Sequence, residues 1–350
     1  MKALVVTPHT ADSLRLQDVT EPPPSADQLL VDALALGICG TDREIRAGNY
    51  GEAPSGSDFL VVGHESLGRV HTAPKGSGFR AGELVVGIVR RPDPQPCRSC
   101  AAGEWDMCEN GGYTERGIKQ RHGFGSQRFQ LEPEFAYRVP DALGLCGVLL
   151  EPASVVAKAW EQIDRIVQRS VWKPARVLIT GAGPIGLLAC LMGRQRGYEL
   201  QVLDRARTGP KPELVRALGA TYHTEGLLRL RGHVDVIVEC TGAAGLAVDA
   251  LSSTAPNGVV CLAGVSSGRH IVQLKAAALN NELVLENAVI VGSVNANRRH
   301  YAAGCAALEQ ASPAWLNQLI TRVVPFERFA EAFERSGEGD VKTVLQFAPL

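Results

Sequence analysis

The sequence lacks an excess of charge of either sign. Lys and Arg number 36 against 37 Asp and Glu, a formal net charge of −1 over 350 residues. Neither nucleic acid nor an acidic membrane surface is therefore indicated as a main partner. No run reads as apolar enough for long enough to span a bilayer. The opening MKALVVTPHT enters a strand-like apolar run at once, without the charged segment, long apolar stretch and small-residue cleavage site of a secretion signal. The expectation is a cytoplasmic, reducing location. Internal repeats and low-complexity segments are also absent. In that compartment the nine cysteines are not expected to form disulfides. Cys146, Cys190, Cys240, Cys261 and Cys305 sit among apolar neighbours and read as small core residues. Cys97, Cys100 and Cys108 form a cluster, and Cys39 lies in a Gly-rich turn, so these four call for a chemical reading.

The length suits two domains. Up to about residue 150 the chain is rich in short β-like runs, at 29–36, 59–71 and 83–89, punctuated by Gly, Pro and Asp. A basic loop with Pro and Cys follows at 90–112. From 153 to 169 the apolar spacing is helical. Strand-like runs at 199–203, 234–239, 258–263 and 287–292 then alternate with helix-like stretches, which predicts a doubly wound parallel sheet. The last fifty residues are expected to return to the first domain.

Gly181, Gly183 and Gly186 spell G-x-G-x-x-G between the strand RVLIT and the helix LLACLMG, and Asp204 ends the next strand. This is the full context of a dinucleotide-binding turn. The glycines allow a tight turn, close approach of backbone to pyrophosphate, and close helix–strand packing. The helix N-terminus offers free N–H groups to the phosphates. Pro184, Ile185, Arg205 and Thr241 are further candidate cofactor contacts. Asp204 favours NAD, because a 2′-phosphate at about 4 Å would meet like-charge repulsion of roughly 4 kcal/mol. Arg205, Arg207 and Lys211 stand close by and leave NADP use open.

Cys39 in GICGTD, His64 and Glu65 in VVGHESLGRV, and Glu151 in EPASVV together offer a thiolate, an imidazole and two carboxylates. That donor set suits Zn²⁺. A metal would also explain why His64 and Glu65 follow an apolar run, where uncompensated burial is costly.

GICGTD, GHESLGRV, EPASV and GAGPIG, in this order and spacing, resemble the medium-chain zinc-dependent alcohol and polyol dehydrogenases, and the resemblance covers essentially the whole chain. It implies a Rossmann domain at 153–298 and a β-rich, GroES-like catalytic domain at 1–152 completed by 299–350. YTERGIKQRHGF, VGSVNANRRH and the Arg90-Arg91-Pro92 approach resemble the glucose 1-dehydrogenase branch. By that resemblance Cys39, His64, Glu65 and Glu151 hold catalytic zinc, and Thr41 bonds the reacting hydroxyl. Asp42 orients the turn. Glu115, Glu151 and His300 contact the sugar, and Asn295 contacts the nicotinamide. The family's structural zinc pattern is matched by Cys97, Cys100 and Cys108; its first cysteine falls at Pro94, so Asp93 is the expected substitute ligand. The expected reaction is hydride transfer from a sugar hydroxyl to NAD(P), with glucose or a related aldose giving the lactone. Polyol or aminocyclitol oxidation to a ketone is one alternative. A zinc-free reductase or cofactor sensor on the same fold is another. Val89 departs from the polar residue that some glucose dehydrogenases carry there. The resemblance also implies a homo-oligomer, dimer or tetramer.

Overall fold

The computed structural model describes residues 1–266, 271–334 and 337–349. Among them the apolar runs of the second half build a six-stranded sheet. Its order is Thr221–His223, Glu199–Leu203, Arg176–Thr180, Val234–Glu239, Thr254–Leu262 and Val289–Gly292. Every neighbouring pair is parallel. Counted along the chain the order is 3-2-1-4-5-6, the doubly wound arrangement expected. Helices cover the faces, so Val234–Glu239 is buried along its whole length, its apolar run interrupted only by Asp235 and closed by Glu239. The order reverses between Arg176–Thr180 and Val234–Glu239. The crevice beyond their carboxyl ends is where such a sheet takes its ligand.

A seven-stranded sheet organises the other part. Its path is Ala136–Arg138, Leu84–Gly87, Glu65–Thr72, Leu29–Ile38, Lys342–Gln346 and Ile320–Pro325, with Arg128–Leu131 also paired to Leu29–Ile38. The C-terminal residues thus return to the first sheet, where Thr343 lies opposite Ile38.

Two local expectations change. The run 59–71 is not one strand. Gly63 takes φ +93°, and a Cβ there would collide with Leu36. The chain breaks into Leu60–Val61, which pairs with Lys2–Val6, and Glu65–Thr72 in the larger sheet. His64 sits at that break. The helix expected from 153 starts earlier, as Leu150–Val167, so Glu151 lies in its first turn. The segment Asp141–Val167 does reach the length and hydropathy of a membrane span, which the sequence reading denied to every run. However, 72% of its most apolar 18-residue window is buried inside the fold, and the segment carries Glu151 and Lys158. It is a core helix.

A small sheet of Arg90–Arg91, Thr114–Arg116 and Gln120–Arg121 completes the frame. Pleating sends alternate residues to opposite faces. Arg90 and Glu115 pair on one face, while Arg91 and Arg116 meet Glu132 on the other.

Candidate active site

Cys39 caps the helix Gly40–Arg46. Its Sγ accepts from the Thr41 N–H at 3.2 Å, and its own N–H donates to Asp42 Oδ2 at 2.9 Å. The Gly63 break aims His64 at this turn, with Nε2 3.1 Å from Cys39 Sγ. The other ring nitrogen, Nδ1, faces Asp42 Oδ1 at 3.4 Å. A carboxylate behind the second nitrogen is the usual device for orienting a ligating imidazole. Asp42, only 1% exposed, therefore orients both the turn and the ring. Burial would raise its carboxyl, but the facing His64 prevails and holds it below the usual range. Burial opposes the charged form of His64, yet Cys39 and Asp42 raise it well above normal. The pocket thus attracts positive charge.

Glu65 is buried and ion-paired with Lys342, which enters from the C-terminal strand and is itself 1% exposed. The ligand atoms of Cys39, His64 and Glu65 all lie within 4.8 Å of one another. Atoms bound about 2.0–2.3 Å from one zinc ion stand at such separations, and the soft–borderline–hard donor set suits Zn²⁺. Glu151 lies outside this trio but within its electrostatic reach. Burial, with Glu65 and Asp42 adding to it against His64 and Lys342, raises its carboxyl to about 7.

The segment expected to hold substrate packs directly on the His64 turn, since Phe124 N–H donates to the Gly63 carbonyl at 2.9 Å. Glu115 is 5% exposed. Its Oε1 accepts from Arg90 Nε at 3.0 Å and from Asn295 Nδ2 at 2.6 Å. Glu115 and Asn295, 180 residues apart in sequence, are thereby brought together. Asn295 holds a left-handed φ of +62°.

The nucleotide turn forms as expected. Gly181 has φ +91°, and a Cβ there would lie 2.8 Å from the Thr241 methyl. A Cβ on Gly186 would strike the Gly181 carbonyl, whereas one on Gly183 would meet nothing, so the backbone lies open where a pyrophosphate would approach. Gly183 caps the helix Pro184–Gln195, and Ile185 follows Pro184 in its first turn. Asp204 accepts from Ala182 N–H at 2.7 Å and Ala206 N–H at 2.9 Å, with Lys211 Nζ 3.9 Å away. Arg205 is 83% exposed at the rim.

Two expected residues are engaged elsewhere in the fold. His300 bonds to neighbouring protein groups. It is 1% exposed, its Nδ1 accepts from Asn297 N–H at 3.0 Å, and its Nε2 meets Glu161 Oε2 at 3.1 Å. Both nitrogens are spent, which makes it a helix-capping residue. Asp93 does not join the thiol cluster. Cys97, Cys100 and Cys108 have ligand atoms within 4.8 Å of one another, but Asp93 Oδ1 accepts from Gln95 N–H at 2.8 Å in a local turn. Sequence reading also missed Lys342 and Lys158. Lys158 stands in the apolar stretch Val155–Trp160 and Lys342 beside Val341 in a buried strand, and that local mismatch was the available signal.

A doubly wound nucleotide domain joined to a sheet that carries a Cys–His–Glu cluster is the architecture of the medium-chain zinc-dependent dehydrogenases. Residues 25–141 match the alcohol dehydrogenase GroES-like domain, and residues 144–347 match the glucose dehydrogenase C-terminus. The chain is 40% identical to glucose 1-dehydrogenase of Methanocella arvoryzae over 99% of both chains. It is also 40% identical to glucose 1-dehydrogenase of Thermoproteus tenax, again over 99% of both. The crystal structure of Haloferax mediterranei glucose dehydrogenase with NADP, zinc and gluconolactone superposes with TM-score 0.91 at 32% identity, covering 100% of each chain. The chain belongs to the glucose 1-dehydrogenase family of medium-chain dehydrogenases.

Proposed function

We propose that this enzyme oxidises D-glucose, or a closely related aldose, at the anomeric hydroxyl to the lactone and reduces NAD(P)⁺. The observation that carries the reading is the convergence of Cys39, His64 and Glu65 on one point, with the segment that carries Glu115 bonded to the same turn through Phe124. Cys39, His64 and Glu65 would hold the zinc, with Glu151 joining or bonding through water. When bound, zinc is a Lewis acid that acidifies the reacting hydroxyl. The Thr41 hydroxyl bonds that group and passes its proton outward. Glu115 accepts from sugar hydroxyls with the Oε2 atom that neither Arg90 nor Asn295 occupies, and Glu151 accepts beside it. A site built to bond hydroxyls rejects analogues that lack them.

Residues 1–152 with 299–350 form the catalytic domain of this reading, and 153–298 the nucleotide domain. Gly181, Gly183, Pro184, Ile185, Gly186 and Thr241 receive the pyrophosphate side, and Asp204 against Arg205 sets the choice between NAD and NADP. The thiols Cys97, Cys100 and Cys108 hold a second, structural zinc. A reducing cytoplasmic location keeps all these thiols available as ligands. The enzyme acts as a homo-oligomer.

The test is a panel of glucose, galactose, xylose, sorbitol and inositol with both cofactors, with product identification, beside the Cys39→Ala variant. Lactone production from glucose and loss of turnover with retained cofactor binding in Cys39→Ala are expected. Ketone formation from sorbitol or inositol alone would replace the aldose reading with the polyol one. Wild-type turnover in Cys39→Ala would remove the zinc chemistry.

A further inference from the structure

Lys158 lies in the middle of the core helix Leu150–Val167 and is 2% exposed. Its ammonium has three acceptors: the Asp106 carbonyl at 3.0 Å, Asp106 Oδ2 at 2.8 Å and the Val294 carbonyl at 2.9 Å. A lysine so buried gains nothing from solvent. Where only stability is at stake, an apolar side chain of similar volume commonly serves as well. What the ammonium adds is direction, because it fixes two separate loops at once.

Both loops lead to Glu115. Val294 immediately precedes Asn295, whose Nδ2 donates to Glu115 Oε1. The Asp106 carbonyl also accepts from Arg90 Nη1 at 3.3 Å, and Arg90 Nε donates to the same Glu115 oxygen. The bonds close a ring through Lys158, Val294–Asn295, Glu115, Arg90 and Asp106. Asn297 Nδ2 braces it from outside by donating to Asp106 Oδ1 at 2.7 Å. The Val294 side chain is 55% exposed, so packing at Ala296 holds one end of this loop and does not hold Val294 itself. Its hydrogen bonds must do so, and Asn295 sits in a left-handed conformation that needs holding.

We propose that Lys158 is a positioning residue for sugar binding: it sets the Val294–Asn295 loop and the Asp106 carbonyl so that Asn295 and Arg90 clamp Glu115 in the orientation that receives the sugar. The proposal rests on Glu115 being the sugar contact. Lys158 touches neither substrate nor cofactor.

The test is a double-mutant cycle of Lys158→Met and Glu115→Gln. Steady-state kinetics are read over glucose concentration at saturating cofactor, and cofactor Kd by nucleotide fluorescence. Lys158→Met is expected to raise the glucose KM about tenfold, to lower kcat less, and to change cofactor Kd by less than it changes KM. Glu115→Gln is expected to raise KM as well. Adding Lys158→Met to it should then change KM less than about twofold, because the group being positioned no longer binds. Wild-type KM in folded Lys158→Met beside a raised KM in Glu115→Gln would overturn the positioning role alone. Independent, multiplying effects would also overturn it. Wild-type KM in Glu115→Gln would instead overturn the assignment of Glu115, and the positioning role with it. Should Lys158→Met not fold, Asp106→Asn carries the test. It removes the ionic partner but keeps both carbonyl acceptors. A KM raised about threefold or more supports the proposal, and an unchanged KM overturns it.

Discussion

Asp204 shows how one side chain can build a site and read its ligand. Its two oxygens take the Ala182 and Ala206 N–H groups, which pins the carboxylate beside the Gly-rich turn. If the dinucleotide binds at this turn as proposed, the negative charge of Asp204 faces the adenosine ribose. A 2′-phosphate within about 4 Å would lose roughly 4 kcal/mol to that charge at an effective dielectric near 20. Lys211 Nζ, 3.9 Å away, and exposed Arg205 supply an opposing attraction. Asp204→Ala should therefore lower the ratio of the NADP to the NAD dissociation constant by at least about tenfold, even if the lost brace weakens both. Fluorescence titration with each reduced cofactor measures this. An unchanged ratio would show that Asp204 serves the turn and does not read the ribose.

At the scale of elements, the small sheet that presents Arg90 and Glu115 is held from behind by one acid. Glu132 meets Arg91 at 2.8 Å, Arg116 at 3.5 Å and Arg121 closer still. Each strand of the sheet contributes one of these arginines. Burial would push the Glu132 carboxyl up, but the three guanidiniums prevail and hold it at about 2. A folded value below the unfolded one gives stability that is fully present above about pH 4.5 and fades as pH falls toward 2. Glu132→Gln strands buried arginines without a counter-charge, and should cost about 3–5 kcal/mol at pH 7. Its deficit relative to wild type should shrink on acidification below pH 4.5. Urea unfolding at pH 7 and pH 3 checks both; a deficit independent of pH would assign the loss to packing. The sequence pattern announced Arg91 only as part of the approach to the cysteine loop, and Arg116 and Arg121 only as part of the expected substrate segment. Their arrangement around Glu132 depends on strand pairing, which local pattern does not encode. The same limit hid the break at Gly63, because the side chain that forbids a Cβ there belongs to Leu36 on another strand. By contrast, the parallel sheet was legible, since two covered faces demand continuous apolar runs.

For the whole molecule, legibility followed sequence distance. The motifs around Cys39, His64 and Gly181 are local, and the turns they announce are the ones that form. The bond of His300 to Glu161 spans 139 residues and that of Lys158 to Val294 spans 136, and local pattern announced neither. One surface remains to be covered. The helix Ala276–Leu285 has no buried residue, with Val284 66% and Leu285 76% exposed. Ile271 and Leu274, which precede it in the chain, also stand open. Val289–Gly292 forms the last strand of the parallel sheet, its outer edge unpaired among the described residues. An apolar patch beside a free strand edge invites a further strand. Were a second copy of the chain to take it, a two-fold axis would set the edge antiparallel to itself and cover both helices at once. Light scattering on the purified protein should then give about twice the 37.3 kDa of one chain. Leu285→Glu, which places a charge on the exposed helix without touching the core, should shift the equilibrium toward monomer and make the apparent Tm depend on concentration. A wild-type protein that stays monomeric at tens of micromolar would assign the open face to some other partner.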